Sequence, residues 1–245
     1  MRTPTTSQLL DAWESAFDSR PAERALALLA LALPELGYDG VARCSIGTRD
    51  NYLLSLRVRL FGPELAGIAH CPACQTLIET AWSASELRAS LAAPACEPVL
   101  ELLVQDCRIS YRLPTTDDLL ALGEGSDPSA VRSLLLERCV LSTSCEGQLA
   151  PAAALPGAAL DALEAAMAQA DPMADIECAL ACPACEHQWS VQFDIVRYLW
   201  SELHAWAQRL LVDVHQLARA YGWGEADILA LSPARRSLYV EMSAS

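Results

Sequence analysis

Apolar positions along the chain follow two patterns, and the changes between them divide the sequence. Leu9, Leu10, Trp13 and Phe17 recur at steps of three and four, the period that gathers apolar side chains on one face of a helix. Ser7 reads as the N-cap of this helix, and Pro21 as a first-turn residue of a second one, so residues 5–33 hold two helices. A third begins near Thr48, read as its cap, carries Leu53, Leu54, Leu56 and Leu60, and ends at Phe61-Gly62-Pro63. The period then shortens. Around Cys71-Pro72-Ala73-Cys74 the pattern is extended, and Ile109, Tyr111 and Leu113 alternate with Arg108, Ser110 and Arg112, a strand with one wet face.

Helical spacing returns at Pro114-Thr-Thr-Asp-Asp-Leu119. Gly123 to Pro128 reads as a loop, with Asp127 as N-cap and Pro128 as first residue of a helix running through Val140. Residues 146–157 are rich in Gly, Pro and Ala and read as a mobile connection; a helix from Gly157 to Ala170 stops at Asp171-Pro172. Residues 174–194 alternate again. From Val196 a stripe of Leu199, Leu203, Trp206, Leu210, Val214, Leu217 and Tyr221 predicts a long central helix ended by Gly222. A short helix from Asp227 and a last one capped by Ser232-Pro233 follow. The prediction is one α+β domain over residues 1–245: helices in 1–66, strands and a cysteine turn in 67–113, helices in 114–172, a second cysteine hairpin in 173–194, and helices in 195–245.

Composition narrows the function. All 17 basic residues are Arg, against 31 acidic ones, for a net charge of −14; 53% of residues are hydrophobic and 20% charged. Such a chain is too apolar to be disordered, and its charge opposes nucleic-acid binding, which needs clustered cations. Without Lys there is no Schiff base, P-loop lysine or Ser–Lys dyad. The nine-residue apolar run Ala25 to Leu33 falls short of the about 20 residues that span a bilayer. The N-terminal residues lack the apolar core of a secretory signal, so the expected setting is the cytoplasm. No Gly-x-Ser-x-Gly, His-Glu-x-x-His or glycine-rich phosphate loop occurs, and no enzymatic activity is expected.

Chemistry enters with the cysteines. Cys71-Pro72-Ala73-Cys74 and Cys182-Pro183-Ala184-Cys185 are identical tetrapeptides 111 residues apart. At the same offset Ile78, Thr80 and Trp82 align with Trp189, Val191 and Phe193, so each turn feeds an alternating strand in the same phase. Strand, Cys-x-x-Cys turn, strand is the knuckle of zinc ribbons; each supplies two thiolates, and a closed structural site needs four. Cys71, Cys74, Cys182 and Cys185 are therefore predicted to hold one structural zinc ion and to join the two segments into a small antiparallel sheet.

Other readings of these cysteines stay open: two turns of reduced thiols, a thioredoxin-like pair, or iron in place of zinc. Cys178, Cys182 and Cys185 also have the spacing of a radical-SAM iron–sulfur triad, although residues 178, 180 and 182 share one face of a strand. His70 and His187 flank the knuckles and are expected outside the ligand set. His204 and His215 share a helix face but lie roughly 16 Å apart along it, too far for one metal. Cys44, Cys96, Cys107, Cys139 and Cys145 have no ligand spacing and are read as core thiols.

Several segments carry a family resemblance. They are Ile46-Gly-Thr-Arg-Asp50, Leu53 to Gly62, both knuckles, Arg112-Leu-Pro-Thr-Thr-Asp-Asp-Leu119, Leu136-Glu-Arg-Cys139 and Phe193-Asp194. The densest are Leu199-Trp-Ser-Glu-Leu203, Tyr221-Gly-Trp-x-Glu-x-Asp-Ile-Leu229 and Pro233-Ala-Arg-Arg-x-x-Tyr239. In these the chain resembles the T4-type phage baseplate (hub assembly) proteins of phage-tail-like contractile injection systems, and the paired knuckles look like the longer bacterial versions. The resemblance implies a non-enzymatic assembly factor or component with hub, spike or other baseplate proteins as partners. It brings no catalytic residue. The alternatives are a zinc-ribbon protein-interaction module in transcription or RNA metabolism and an iron–sulfur or redox enzyme. Trp200, Trp206, Trp223 and Tyr239 are expected where helices meet. Arg235-Arg236 opens the last helix against its macrodipole and calls for compensation by Glu225, Asp227 or an acidic partner.

Overall fold

A computed structural model describes residues 1–90, 98–122, 127–145, 148–149, 151 and 155–243. The N-terminal helices are α1 (Thr6–Ser15), α2 (Pro21–Ala32), α3 (Gly37–Ala42) and α4 (Ile46–Phe61). The hairpin β1 (Glu64–His70) and β2 (Leu77–Ser83) follows, then α5 (Ala84–Ser90), β3 (Leu100–Val104), β4 (Cys107–Tyr111), α6 (Thr116–Leu120) and α7 (Pro128–Cys139). Next come β5 (Val140–Cys145), β6 (Gln148–Leu149), α8 (Gly157–Ala170), a single 3-10 turn (Pro172–Ala174), and the hairpin β7 (Glu177–Ala181) and β8 (Gln188–Gln192). The chain closes with α9 (Ile195–Tyr221), α10 (Glu225–Leu229) and α11 (Pro233–Ser243). The α+β class is as predicted, with more and shorter helices than the sequence pattern implied.

Two cap assignments shift. Thr5, not Ser7, caps α1, because its hydroxyl accepts from Gln8 N while the Gln8 amide accepts from Thr5 N, satisfying two donors at once. Ser45, not Thr48, caps α4: its hydroxyl accepts from the Thr48 backbone N–H at 3.2 Å. Asp127 caps α7 with Pro128 behind it, and Gly222 ends α9 at φ 69°, as local chemistry dictates. Residues 123–126 of the predicted loop and half of the predicted mobile connection lie outside the described residues; within that connection Gln148–Leu149 is a short strand and Leu155 is buried.

α9, 27 residues long and hence about 40 Å, is the axis of the main core. Ile195, Leu199 and Leu203 on its buried stripe pack with Leu26 and Leu29 of α2 and Leu53, Leu54 and Leu56 of α4. Each such buried aliphatic side chain contributes about 1.5–3 kcal/mol. A smaller cluster sits apart, where Ile109, Tyr111 and Leu136 meet Ala159 and Leu163 of α8. It lies under an antiparallel sheet ordered β3-β4-β5-β6.

Buried polar groups tie distant segments together. The Asp171 carboxylate, 3% exposed, accepts from Gly47 N at 2.8 Å and so caps α4 from 124 residues away. Only glycine fits there, since a Cβ on residue 47 would lie 2.1 Å from Asp171 Oδ1 and 2.9 Å from Ala174 N. Asp118, fully buried, accepts from Arg112 at 2.6 and 2.8 Å, from Arg138 at 2.7 Å and from Thr115. Arg57 makes a two-pronged pair with Glu202, linking α4 to α9. Arg236 is buried and pairs with Asp213 of α9 at 3.2 Å; the compensating acid comes from the neighbouring helix and not from Glu225 or Asp227.

Candidate metal centre

The two knuckle hairpins repeat each other in three dimensions. Adding 111 to the pairing Gly67↔Thr80 gives Cys178↔Val191, the register observed in the second hairpin. The buried position Leu65 becomes Ile176. Each hairpin runs into a helix at the same place, α5 at Ala84 and α9 at Ile195. The turns match bond for bond. Cys71 N donates to Thr76 O at 3.0 Å and Gln75 N to Cys71 O at 2.9 Å; Cys182 N donates to His187 O at 2.8 Å and Glu186 N to Cys182 O at 2.9 Å. Gln75 (φ 61°) and Glu186 (φ 58°) take the left-handed conformation that turns the chain back into the second strand of each hairpin.

Both hairpins root in the main core and hold their tips together. Leu65, Ile176 and Cys178 are core residues, with Trp82 and Val191 packed against them. The Tyr198 hydroxyl of α9 accepts from Ala66 N and donates to Ala66 O, both at 3.0 Å, and so clips the outer edge of β1 to the helix. At the tips the thiols pair crosswise, Cys71 with Cys185 at 3.6 Å and Cys74 with Cys182 at 3.5 Å, a local two-fold arrangement. All four sulfurs lie within 4.8 Å of one another. Tetrahedral coordination at a metal–sulfur distance of about 2.3 Å places sulfurs about 3.8 Å apart, so this donor set fits a metal ion without rearrangement of either turn. The hairpins nevertheless remain separate two-stranded sheets. The predicted single sheet does not form, because the knuckles meet through sulfur and not through backbone hydrogen bonds.

Electrostatics at the tips favours a cation. Cys71 and Cys182 are buried, Cys74 and Cys185 exposed. The Thr76 hydroxyl and backbone N–H pull the Cys74 thiol down to about 6. The His187 backbone N–H favours the Cys185 thiolate, yet the thiols of Cys74, Cys182 and Cys71 around it push it up to about 12. Thiols this close resist ionising together, and a divalent cation among them reverses that preference.

The other sequence candidates fall elsewhere. Cys178 is buried in the main core, where burial raises its thiol, and stands outside the sulfur cluster, so the three-cysteine triad is not assembled. His70 approaches the Gln75 carbonyl at 3.5 Å and His187 stacks on Trp189; neither belongs to the cluster. His204 accepts a hydrogen bond from Trp13 Nε1, and His215 is exposed. Cys139 is a buried thiol pushed up to about 11 by burial, and Cys44 is half-buried against the Gly40 carbonyl. Cys96 lies outside the described residues. Cys107 and Cys145 are not core thiols: they form a disulfide, directly opposite each other on β4 and β5. Sequence spacing hid this pair because 38 residues separate the two cysteines.

Among the described residues no helix is long and apolar enough to cross a membrane. Compared with protein-family models, curated proteins and solved structures, the chain matches none.

Proposed function

We propose that the chain is a non-enzymatic scaffold, a hub assembly factor or component of the baseplate of a phage-like contractile injection system. In this reading it is locked by a structural zinc ion on Cys71, Cys74, Cys182 and Cys185. The observation that carries the zinc reading is the convergence of four sulfurs from two hairpins of matching register. Four thiolates leave no open coordination position for a substrate, the mark of a structural centre as opposed to a catalytic one. A zinc ion held there would offset two of the four thiolate charges; the chain's own residues root the hairpins, orient the turns and shield two of the four sulfurs. The baseplate assignment rests on the residues that resemble the T4-type proteins, and the acidic, lysine-free surface agrees with protein partners.

Two measurements test it. Elemental analysis of the purified protein is expected to give one zinc per chain, and a folded, metal-free protein overturns the zinc centre. Co-expression with the products of neighbouring genes is expected to recover a complex containing spike, hub or baseplate-wedge subunits. A gene neighbourhood without sheath, tube and spike genes overturns the assignment to an injection system.

A further inference from the structure

A groove opens between α1 and α9, beside the start of α10. Its lining is Leu10, Trp13 and Phe17 from α1 and the turn behind it, Leu211 from α9, and the carboxylates Glu14, Asp18 and Glu225, around a volume of about 630 Å³. The floor is solid: Leu10, Ala207 and Leu210 are buried together beneath it. The aromatic wall is fixed in place, because Trp13 Nε1 donates to His204 Nδ1 at 3.1 Å and the Phe17 ring meets Trp13 edge-on at 5.5 Å. Phe17 and Leu211 nonetheless remain 44% and 40% exposed. Rigid apolar anchors, half in water and ringed by carboxylates, are the features of a binding surface.

The walls select the occupant. Both are helices, whose backbone groups are satisfied within themselves, so an extended strand entering the groove finds no edge to pair with and leaves its own N–H and C=O groups unmet. A helix brings those bonds with it and needs only side-chain pockets. Every charged residue of the lining is acidic, so the complementary segment carries cations beside its apolar face. A second copy of this chain is a poor fit, since each carries a net charge of −14, and Arg236 of the Arg235-Arg236 pair is already buried against Asp213.

We propose that this groove docks an amphipathic helix of a partner protein, its apolar side chains seated on Leu10, Trp13, Phe17 and Leu211 and its Arg or Lys side chains paired with Glu14, Asp18 and Glu225. The inference deepens the scaffold reading and rests on it by naming the kind of partner held. Its test is independent of zinc content and of gene context.

The probe is a fluorescently labelled helical peptide with Leu at positions i, i+3, i+4 and i+7 and flanking Arg, titrated with the full chain and read by anisotropy. Two comparison peptides replace its Arg by Glu or its Leu by Ser. The Arg–Leu peptide is expected to bind, more weakly as salt rises, and both comparison peptides to bind roughly tenfold more weakly or worse. Asp18→Arg and Leu211→Ser, both surface changes, are each expected to weaken binding roughly tenfold. Glu177→Arg, at an exposed position of β7 outside the groove, makes the same charge change as Asp18→Arg and is expected to leave binding intact. Failure of the Arg–Leu peptide to bind overturns the proposal. So does an equal loss with Glu177→Arg, which marks nonspecific attraction to an acidic surface, or self-association of the free chain that Leu211→Ser disperses.

Discussion

Asp50 offers a test of the core in which the sign of the effect runs against intuition. The residue sits in α4, 8% exposed, and accepts from Arg49 Nε at 2.7 Å. Removing the carboxylate of an ion pair ordinarily destabilises. Here burial is the larger influence, and with Asp194 and Asp171 nearby it outweighs the attraction of Arg49 and pushes the carboxyl up from 3.8 to about 6. A folded-state pKa above the unfolded one means the folded protein holds this proton more tightly. The resulting stability is complete below pH of about 4 and is lost as pH rises through about 6. Two pKa units correspond to about 3 kcal/mol, so at pH 7 the ionised Asp50 weakens the fold by that order relative to a neutral side chain of the same shape. Asp50→Asn keeps an oxygen for Arg49 but leaves new amide hydrogens to satisfy, at about 1–3 kcal/mol, which reduces the gain to about 0–2 kcal/mol. Urea unfolding followed by circular dichroism, wild type against variant from pH 4 to 7.5, measures it; acid release of metal is common to both proteins and cancels in the difference. The variant is expected to be more stable at pH 7, with the gap closing between pH 6 and 4. A variant less stable than wild type at pH 7, or a gap independent of pH, refutes the reasoning.

Other expectations follow from the same geometry. Asp118 behaves oppositely: burial alone would raise its pKa, but hydrogen bonds from Arg112, Arg138 and Thr115 together hold it well below the usual carboxylate range. Its contribution is therefore present above pH of about 4 and lost in acid, and Asp118→Ala is expected to cost about 2–4 kcal/mol at pH 7 by urea unfolding, because both arginines retain some solvent. Gly47→Ala drives a methyl group into the Asp171 carboxylate and is expected to lower stability by about 2–3 kcal/mol in thermal melts, a cost typical of overpacking. Cys71→Ser and Cys182→Ser are each expected to abolish metal binding and lower the melting temperature, with the double variant no worse than either single one; additive losses would show two independent sites. Peptide mapping without reduction is expected to recover Cys107 linked to Cys145, with the four knuckle thiols reacting with alkylating agents only after chelation.

What could be read from the sequence was what local chemistry determines. A tight turn that presents two thiols to one point needs them within four residues, so the knuckles stood out, and their matching flanks disclosed the shared phase. The cap of α7, the bounds of α8 and the glycine stop of α9 are likewise settled within a few residues. Features that depend on register or distant packing were hidden. The Cys107–Cys145 disulfide requires β4 and β5 to align across two intervening helices. The Asp171–Gly47 cap joins residues whose proximity nothing nearby announces. Trp13 and Phe17 were legible as an apolar helical face, but not as a face left partly in water, because that depends on how far α9, which meets it at His204, covers it. The separation of the knuckles into two sheets was invisible too, since alternation tells which face of a strand is wet and says nothing of its neighbour.

The crosswise pairing of Cys74 with Cys182 spans 108 residues, and during synthesis that distance is a waiting time. At roughly 5–20 residues per second the first knuckle emerges about 5–20 s before the second exists. Through that interval Cys71 and Cys74 are half of a binding site, available to any loosely held metal or to another thiol. The nascent chain is thus most vulnerable to mispairing before its last third is made, and its yield in a producing cell is expected to depend on thiol reduction and metal supply during translation.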